Sequence, residues 1–215
     1  MTYRALIPVK LLTEAKSRLA PHMTQEQRSR LVLTMLHHVL CTLQESGLLE
    51  QISVVSPDER VLNSVRTWGA QPLVEEQHGH NPALHAAAAR ELAAGATALL
   101  TISADLPLLQ PADIHSMLEV SQRHDVVLAP SQDGTGTNAI LVRPPLALPY
   151  VFGIHSLQRY LEEARQRYLS ASLYKSPGTA FDIDTFEDVM TLRTYKERDQ
   201  LEYNDSTLHH FRHCA

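Results

Sequence analysis

ALLTISADLPLLQPADIHSMLEVSQRHDVVLAP, at residues 98–130, is the segment of this chain from which its architecture can be predicted. Residues 98–103 are an apolar run that predicts a buried strand. Residues 111–123 follow a helical pattern with a proline in the first turn, and residues 125–130 are a second apolar run. A strand, a helix and a strand in this order predict a βαβ unit, in which helices cover a largely parallel sheet.

The same alternation of strands and helices continues along the rest of the chain. Further strands are predicted at residues 3–9, 51–56, 71–74, 138–142 and 170–174. Further helices are predicted at residues 24–45, 58–68, 82–94, 156–168 and 185–196. We therefore predict an α/β fold of three layers, with a mostly parallel mixed sheet and helices on both faces. Residues 1–196 are predicted to form a single domain, and the polar residues 197–215 a loosely packed tail or an oligomer contact.

The composition is that of a globular protein, since 44% of the 215 residues are hydrophobic and 20% are charged. The formal net charge is −5, so the basic surface that binds nucleic acid is not expected. No apolar run approaches the roughly 18 residues of a membrane span, and the opening MTYRALIPVK lacks the pattern of a secretion signal. Cys41 and Cys214 alone cannot form a disulfide framework or a cysteine-ligated zinc site. We expect a cytoplasmic protein that binds neither nucleic acid nor membranes.

The segment after the first predicted strand is basic, with Lys10, Lys16 and Arg18 within nine residues. Ligands of open α/β sheets bind beyond the carboxyl ends of the strands, where this segment begins. Lysine as a point charge and arginine as a fork both suit a polyphosphate there. A solvated basic loop is the alternative. The segment contains neither a G-x-G-x-x-G dinucleotide fingerprint nor a P-loop, so those two nucleotide sites are excluded.

Two acidic segments supply candidate metal ligands. Asp105 follows a buried strand in SADLP, where it could hold a divalent cation, and Mg²⁺ needs only one or two carboxylates. In FDIDT, residues 181–185, Asp182 and Asp184 alternate on a short extended segment, and one of them is expected to point to each side. The alternatives are a turn cap for Asp105 and a helix cap for Asp184 or Thr185. Which of Asp182 and Asp184 would bind metal stays open.

Two further loops are candidate anion sites. DGTGTN, residues 133–138, combines glycines that let the backbone approach a ligand with threonine hydroxyl and backbone N–H groups. FGIHS, residues 152–156, precedes a helix, so Ser156 and the unpaired N–H groups of the first turn could hold an anion. A hairpin turn and a plain serine cap are the alternatives. Acidic segments, a basic loop and two anion loops together favour a nucleotidyltransferase with a second anionic substrate.

Several strings spread over residues 6 to about 192 carry a family resemblance: LIPVK…AKSRLAP, SADLPLL with PADI, GTGTNAILVRPP, FG..S and DIDT.ED. In this order they resemble the guanylyltransferases of deazaflavin coenzyme (F-420) biosynthesis, which include the phosphoenolpyruvate and 2-phospho-L-lactate guanylyltransferases. The resemblance implies a nucleotidyltransferase fold of the nucleotide-diphospho-sugar transferase type. It also implies that GTP reacts with a small phosphorylated carboxylic acid to give a guanosine-diphospho ester and pyrophosphate.

The resemblance also implies roles for individual residues. The ligands of Mg²⁺ would be Asp105, Asp182 and Asp184. The phosphate and carboxylate of the acid would be held by Thr137, Gly153 and Ser156. The nucleotide would be bound by Lys10, Lys16, Arg18 and Asn81, the last in the loop that lies near guanine in the family. The catalytic residues among these would be Asp105, Lys10 and Arg18.

Two other functions stay open on the residues alone. A nucleotide-sugar-dependent glycosyltransferase could use DID as a metal-binding D-x-D motif, although that motif is expected near mid-chain and here lies close to the end of the core. A non-catalytic nucleotide-binding module is the second alternative. Among phosphoenolpyruvate, 2-phospho-L-lactate and 3-phosphoglycerate we favour phosphoenolpyruvate, because the even mixture of charges and the lack of signals suggest a bacterial-type cytosolic enzyme. A homodimer is expected from base rates only.

Overall fold

The computed structural model describes residues 1–202, with side chains described through Tyr195. The strands are β1 (Tyr3–Pro8), β2 (Gln51–Ser56), β3 (Gln71–Val74), β4 (Ala98–Ile102), β5 (Val126–Pro130), β6 (Thr137–Val142) and β7 (Ala171–Leu173). The helices are α1 (Gln25–Glu45), α2 (Glu59–Thr67), α3 (His80–Ala93), α4 (Pro111–Ser121), α5 (Ser156–Gln166), α6 (Pro177–Ala180) and α7 (Phe186–Glu202). A short 3-10 helix at Ser17–Leu19 lies between β1 and α1.

The seven strands form one mixed sheet in the order β3-β2-β1-β4-β6-β5-β7. Strand β6 runs antiparallel to both of its neighbours, β4 and β5. The other neighbouring strands are parallel. The predicted α/β fold with a mostly parallel mixed sheet is therefore confirmed.

Helices cover both faces of the sheet because alternate residues of each strand point to opposite sides. In β1, Ala5 and Ile7 belong to a core cluster shared with α1, α2 and α4. Leu6, between them, belongs to a second cluster formed with α3. On that same face α5 packs against β5 and β6 through the fully buried Tyr160. The predicted three layers follow from these clusters.

Most predicted elements are present, with ends within about two residues of the prediction. The strands at 51–56 and 71–74 have the predicted bounds. The 3-10 helix and α6 were missed, because three or four residues are too few to show a helical period. The last helix continues to Glu202, past its predicted end at residue 196. The remainder of the predicted tail, residues 203–215, lies outside the described residues.

The predicted start of the first long helix is observed in detail. The Thr24 hydroxyl accepts a hydrogen bond from the Gln27 backbone N–H at 3.2 Å, and the Gln27 side chain accepts one from the Thr24 N–H at 2.8 Å. This is the capping box that the Thr-x-x-Gln spacing predicts. No helix within residues 1–202 is long and apolar enough to span a bilayer.

One edge of the sheet collects the segments that carry the candidate site residues. Strands β1 and β4 are parallel, so both end at this edge. Strand β6 is antiparallel to β4, so it begins there: Ala139 pairs with Ile102, and the Ser103 N–H donates to the Asn138 carbonyl at 2.8 Å. The basic segment after β1, the acidic turn after β4 and the Gly/Thr turn before β6 therefore lie side by side.

Candidate functional site

Asp105 lies in the turn after β4, and this turn is hydrogen-bonded to the other acidic segment. The Asp105 carbonyl accepts a hydrogen bond from the Ile183 N–H at 3.3 Å, although the two residues are far apart in the sequence. Leu106, the next residue, is fully buried. The hydrogen bond and the burial of Leu106 therefore fix the backbone that carries the Asp105 carboxylate, as a ligand-binding group requires.

Asp182 and Asp184 lie on the same side of their segment. Phe181 and Ile183 are buried in a small cluster with Met35 of α1, and the two carboxylates face away from that cluster. The expectation that one carboxylate points to each side is wrong. Residues two apart in an extended chain share a face, whereas residues one apart do not.

The cap of α7 is provided by Thr185 together with Asp188, and not by Asp184. The Asp188 carboxylate accepts hydrogen bonds from the Asp184 N–H at 2.9 Å and from the Thr185 N–H at 2.7 Å. In return, the Thr185 hydroxyl accepts one from the Asp188 N–H at 3.3 Å. This reciprocal pattern is a capping box. It leaves the Asp184 carboxylate available for other partners.

Asp105, Asp182 and Asp184 form an acidic cluster, and one oxygen from each carboxylate lies within 4.8 Å of the others. Lys16 reaches into this cluster: its ammonium group contacts an Asp105 oxygen and donates to Asp184 Oδ1 at 3.0 Å. Arg18 lies at the rim, with its Nη1 atom 3.4 Å from Asp184 Oδ2 and 72% of its side chain exposed. Five of the residues singled out from the sequence therefore meet at one place.

The cluster carries more negative charge than its cations neutralise. Burial, together with the neighbouring charges of Asp105 and Asp184, raises the pKa of Asp182 to about 6, although a hydrogen bond from Asn138 acts to lower it. For Lys16, burial lowers the pKa, but the carboxylates of Asp105 and Asp184 outweigh it and the net direction is upward. Such like-charged carboxylates held together at a sheet edge are a common feature of functional sites.

The residues of the acidic cluster fit a divalent cation. The Oδ1 atom of Asp105 is buried and has no hydrogen-bond partner within the described part of the chain. A buried carboxylate oxygen without a partner is costly unless a cation or water satisfies it. Three carboxylates supply the hard oxygen ligands that Mg²⁺ and similar cations prefer. Asp105, Asp182 and Asp184 are therefore the residues that would hold such an ion.

We expect the affinity for a divalent cation to fall as the pH is lowered through about 6, because a protonated Asp182 is a poor ligand. The stability of the metal-free protein changes in the opposite direction. Because the pKa of Asp182 is higher in the folded protein than in the unfolded one, the folded protein takes up a proton more readily. Lowering the pH toward the unfolded-state pKa therefore increases the free energy of unfolding. Titrations with Mn²⁺ at pH values from about 7 to 5 measure the first effect. Asp182→Asn should remove this pH dependence, and an equal pH dependence in the variant would contradict the assignment.

Asn138 is a site residue that sequence reasoning did not assign. Its side-chain amide donates to the carbonyls of Thr179 at 3.1 Å and Ala180 at 3.0 Å, and to Asp182 Oδ1 at 3.1 Å. It thereby fixes the end of α6 and one carboxylate of the acidic cluster. Its place directly after the GTGT string, at the start of a predicted strand, is the signal that could have identified it.

Thr137 and Ser156 lie next to each other, at the same edge of the sheet as the acidic cluster. Both are buried, and the Ser156 hydroxyl lies 3.2 Å from the Thr137 hydroxyl. Gly153 has a φ of 122°, which L side chains rarely adopt, and its carbonyl accepts from the Ser156 N–H at 3.1 Å. His155, with a φ of 53°, occupies the cap position of α5, so the serine-cap alternative is not what is seen. The two hydroxyls are suited to an anion. The prediction of unpaired N–H groups in the first turn is wrong for Ser156 and Leu157, because their N–H groups donate to the carbonyls of Gly153 and Thr135.

The GTGT segment lies in the turn of the β5–β6 hairpin, which is the alternative given for it in the sequence analysis. Its Thr135 carbonyl accepts a hydrogen bond from the Leu157 N–H at 3.2 Å, so this turn is attached to the start of α5. A hairpin turn does not exclude the predicted anion site, because the same turn places Thr137 next to Ser156.

Asn81 and Lys10 lie on the α3 side of the site. The Asn81 side chain donates to the Phe152 carbonyl at 3.1 Å and accepts from the Phe152 N–H at 3.0 Å, so it holds the 152–156 loop. Lys10 is exposed, and its charge adds to burial in lowering the pKa of His80. The structure therefore places Asn81 against the 152–156 loop and Lys10 near His80, the first residue of α3.

Residues 3–203 match the family model described as "Guanylyl transferase CofC like". The chain is similar to a phosphoenolpyruvate guanylyltransferase of Rubrobacter xylanophilus, at 42% identity over 193 residues, with 89% of this chain and 94% of the relative covered. It is also similar to a 2-phospho-L-lactate guanylyltransferase of Methanothermobacter thermautotrophicus, at 36% identity with 86% and 81% covered.

Solved structures share the fold. A structure described as a candidate nucleotide-diphospho-sugar transferase from Desulfovibrio desulfuricans G20 has a TM-score of 0.78 at 17% identity, covering 96% of this chain and 92% of that one. A CMP:2-keto-3-deoxy-manno-octonic acid synthetase in complex with CTP has a TM-score of 0.65 at 13% identity, covering 93% and 100%. At these identities the likeness concerns the fold alone, and it is the fold that the sequence resemblance implied.

Proposed function

The chain belongs to the CofC-like guanylyl transferase family, and on that premise we propose that it joins the guanylyl group of GTP to the phosphate of phosphoenolpyruvate. The products are a guanosine-diphospho ester of the acid and pyrophosphate, and the step belongs to deazaflavin coenzyme biosynthesis. The proposed cation is Mg²⁺, held by Asp105, Asp182 and Asp184. The cytoplasm, where GTP is available, is the proposed compartment, and a homodimer stays a prediction.

The observation that carries this proposal is the meeting of opposite charges at one edge of the sheet. The acidic cluster would hold a cation, and Lys16 and Arg18 lie against it with charges that would suit polyphosphate oxygens. The Thr137–Ser156 pair adds a second site for an anion. A nucleoside triphosphate together with a phosphorylated acid accounts for both parts of the site.

The choice of phosphoenolpyruvate rests on the relatives. The Rubrobacter protein, named a phosphoenolpyruvate guanylyltransferase, is 42% identical to this chain, and the Methanothermobacter protein, named a 2-phospho-L-lactate guanylyltransferase, is 36% identical. In this chain Thr137, Gly153 and Ser156 are the proposed contacts for the phosphate and carboxylate of the acid. The family also favours guanylyl transfer over the glycosyltransferase alternative.

In the proposed reaction a phosphate oxygen of the acid attacks the α-phosphorus of GTP. The new oxygen–phosphorus bond forms as the bond from the α-phosphorus to the bridging oxygen breaks, and pyrophosphate leaves with that electron pair. The attacking phosphate is already an anion near neutral pH, so no general base is required. A bound divalent cation would supply charge neutralisation at the phosphates.

The residues of the chain would contribute alignment and charge. Thr137 and Ser156 would hold the acid so that its phosphate lies in line with the leaving pyrophosphate. Lys10 and Arg18 would neutralise charge that develops on the departing phosphates. Asn81 would act through the Phe152 backbone by holding the 152–156 loop in position.

Pyrophosphate release tests the proposal directly. The protein is incubated with GTP and Mg²⁺ and with phosphoenolpyruvate, 2-phospho-L-lactate or 3-phosphoglycerate in parallel, and the products are identified by mass. A guanosine-diphospho adduct of phosphoenolpyruvate is the expected result. An adduct with one of the other acids would overturn the substrate, and GTP binding without turnover on all three would favour the non-catalytic alternative.

Replacing Ser156 with alanine is expected to raise the KM for the acid by about tenfold or more, because a buried hydroxyl that contacts the substrate is lost. The KM for GTP should change much less. Initial rates with each substrate varied in turn measure both constants. Ser121→Ala removes another buried serine hydroxyl, at the end of α4, and serves as the matched control. Equal shifts in both KM values would argue against a role specific to the acid.

A further inference from the structure

Lys16 is held in an unusual conformation that directs its side chain into the acidic cluster. Its φ of 52° lies in the left-handed region, which residues other than glycine rarely adopt, and it precedes the 3-10 helix at Ser17–Leu19. Only 9% of its side chain is exposed. Strained positions of this kind persist where the surrounding structure holds them and are often functional.

The ammonium group of Lys16 shares its partners with the proposed metal. It contacts an oxygen of Asp105 and donates to Asp184 Oδ1 at 3.0 Å, and both carboxylates belong to the acidic cluster. A divalent cation held by the same carboxylates would lie within a few ångströms of this ammonium group. Two positive charges so close together in a poorly hydrated place repel each other strongly. Metal and ammonium therefore compete for the cluster.

A polyphosphate would remove this competition. Its oxygens are strong acceptors for an ammonium group, and Mg²⁺ is usually bound in proteins by one or two carboxylates together with phosphate oxygens. If Lys16 transfers its hydrogen bonds to the phosphates, the carboxylates of Asp105 and Asp184 become available to the cation. The nucleotide would thus supply a partner for the lysine and extra ligands for the metal.

We infer that Lys16 acts as an internal cation that keeps free divalent metal out of the acidic cluster, so that metal enters together with the nucleotide phosphates. The part that concerns the nucleotide rests on the proposed function. The part that concerns free metal rests on the contacts of Lys16 alone. Lys16 is in this respect a specificity residue, because it selects the metal–nucleotide complex over the bare ion.

Removing the charge tests this inference by opposite changes in two affinities. In Lys16→Met, the affinity for free Mn²⁺ should increase by about tenfold or more, whereas the affinity for GTP in the presence of metal should decrease. Electron paramagnetic resonance of unbound Mn²⁺ measures the first affinity, and calorimetry with a non-hydrolysable GTP analogue measures the second. Unchanged or weaker binding of free Mn²⁺ by the variant would overturn the inference.

Arg18→Met provides the matched control. Arg18 contacts the same Asp184 carboxylate, but its side chain is 72% exposed, so solvent screens its charge. Its removal should change the affinity for free Mn²⁺ by less than about twofold. An increase as large as that of Lys16→Met would show a general effect of net charge and would also overturn the inference.

Thermal unfolding gives a readout that needs neither nucleotide nor turnover. Without Lys16 the three carboxylates repel one another, so the melting temperature of Lys16→Met in chelator should be lower than that of the wild type. Added Mn²⁺ should raise the melting temperature of the variant by more than that of the wild type. Lys16→Gln keeps a hydrogen-bond donor and replaces the methionine variant if that one does not fold. An equal gain from Mn²⁺ in wild type and variant would contradict the competition. If the wild type releases no pyrophosphate with any of the three acids, the proposed function is contradicted, but the competition between Lys16 and free metal is not.

Discussion

Asp105→Asn is expected to lower turnover by about a thousandfold while the fold stays intact. The Oδ1 atom of Asp105 is buried without a hydrogen-bond partner among the described residues, and its other oxygen contacts Lys16. Asparagine keeps the shape of the side chain but removes the charge that a divalent cation requires. Pyrophosphate release at saturating GTP and acid measures the loss, and circular dichroism checks the fold.

Glu187→Gln is the control for this variant. It makes the same change from a carboxylate to an amide close to the acidic cluster in the sequence, but its side chain is exposed and lies outside the cluster. It should retain nearly full turnover. Near-normal turnover in Asp105→Asn would remove Asp105 from the proposed metal site, and so would an unchanged affinity of that variant for Mn²⁺.

Gly178→Ala is expected to destabilise the protein by about 2 kcal/mol, although alanine is the better helix former by about 1 kcal/mol. A Cβ atom at this position in α6 would lie 2.2 Å from an Asp113 carboxylate oxygen and 2.9 Å from the Leu108 carbonyl. Asp113 cannot move freely, because it is buried and accepts hydrogen bonds from Tyr174 and from the Gln110 N–H. The overlap therefore outweighs the gain in helix propensity. Denaturant unfolding measures the difference.

The same substitution should also weaken the binding of Mn²⁺ severalfold. Helix α6 leads directly into the acidic segment, and Asn138 holds the carbonyls of Thr179 and Ala180 together with Asp182. Displacing α6 thus displaces a proposed metal ligand.

Gly47→Ala is the control for Gly178→Ala. Its φ of 65° makes alanine cost about 1 kcal/mol or more, but nothing lies within 4 Å of the added Cβ atom. It should lower stability without changing the affinity for Mn²⁺. A Gly178→Ala protein as stable as the wild type would show that α6 and α4 separate without cost, contrary to the expected overlap.

The sequence by itself determined the order of the elements and the reaction class. Alternation of apolar runs with helical patterns depends on neighbours two to four residues apart, which is why the strands at 51–56 and 71–74 have their predicted bounds. The Thr24 capping box is equally local. The guanylyl transferase family was predicted from short motifs and their order along the chain, and the family model matches residues 3–203.

The tertiary structure alone decided how the site residues combine. Lys16 meets Asp184 across 168 residues of sequence, and Asn138 meets Asp182 across 44. The basic segment is predicted to face phosphates, and its local pattern does not indicate that the side chain of Lys16 enters the acidic cluster. The turn before β6 reaches the same edge as the turn after β4 only because β6 is antiparallel to β4. Local periodicity fixes which face a side chain occupies, whereas the packing of the sheet and the capping of α6 and α7 fix what lies opposite to it.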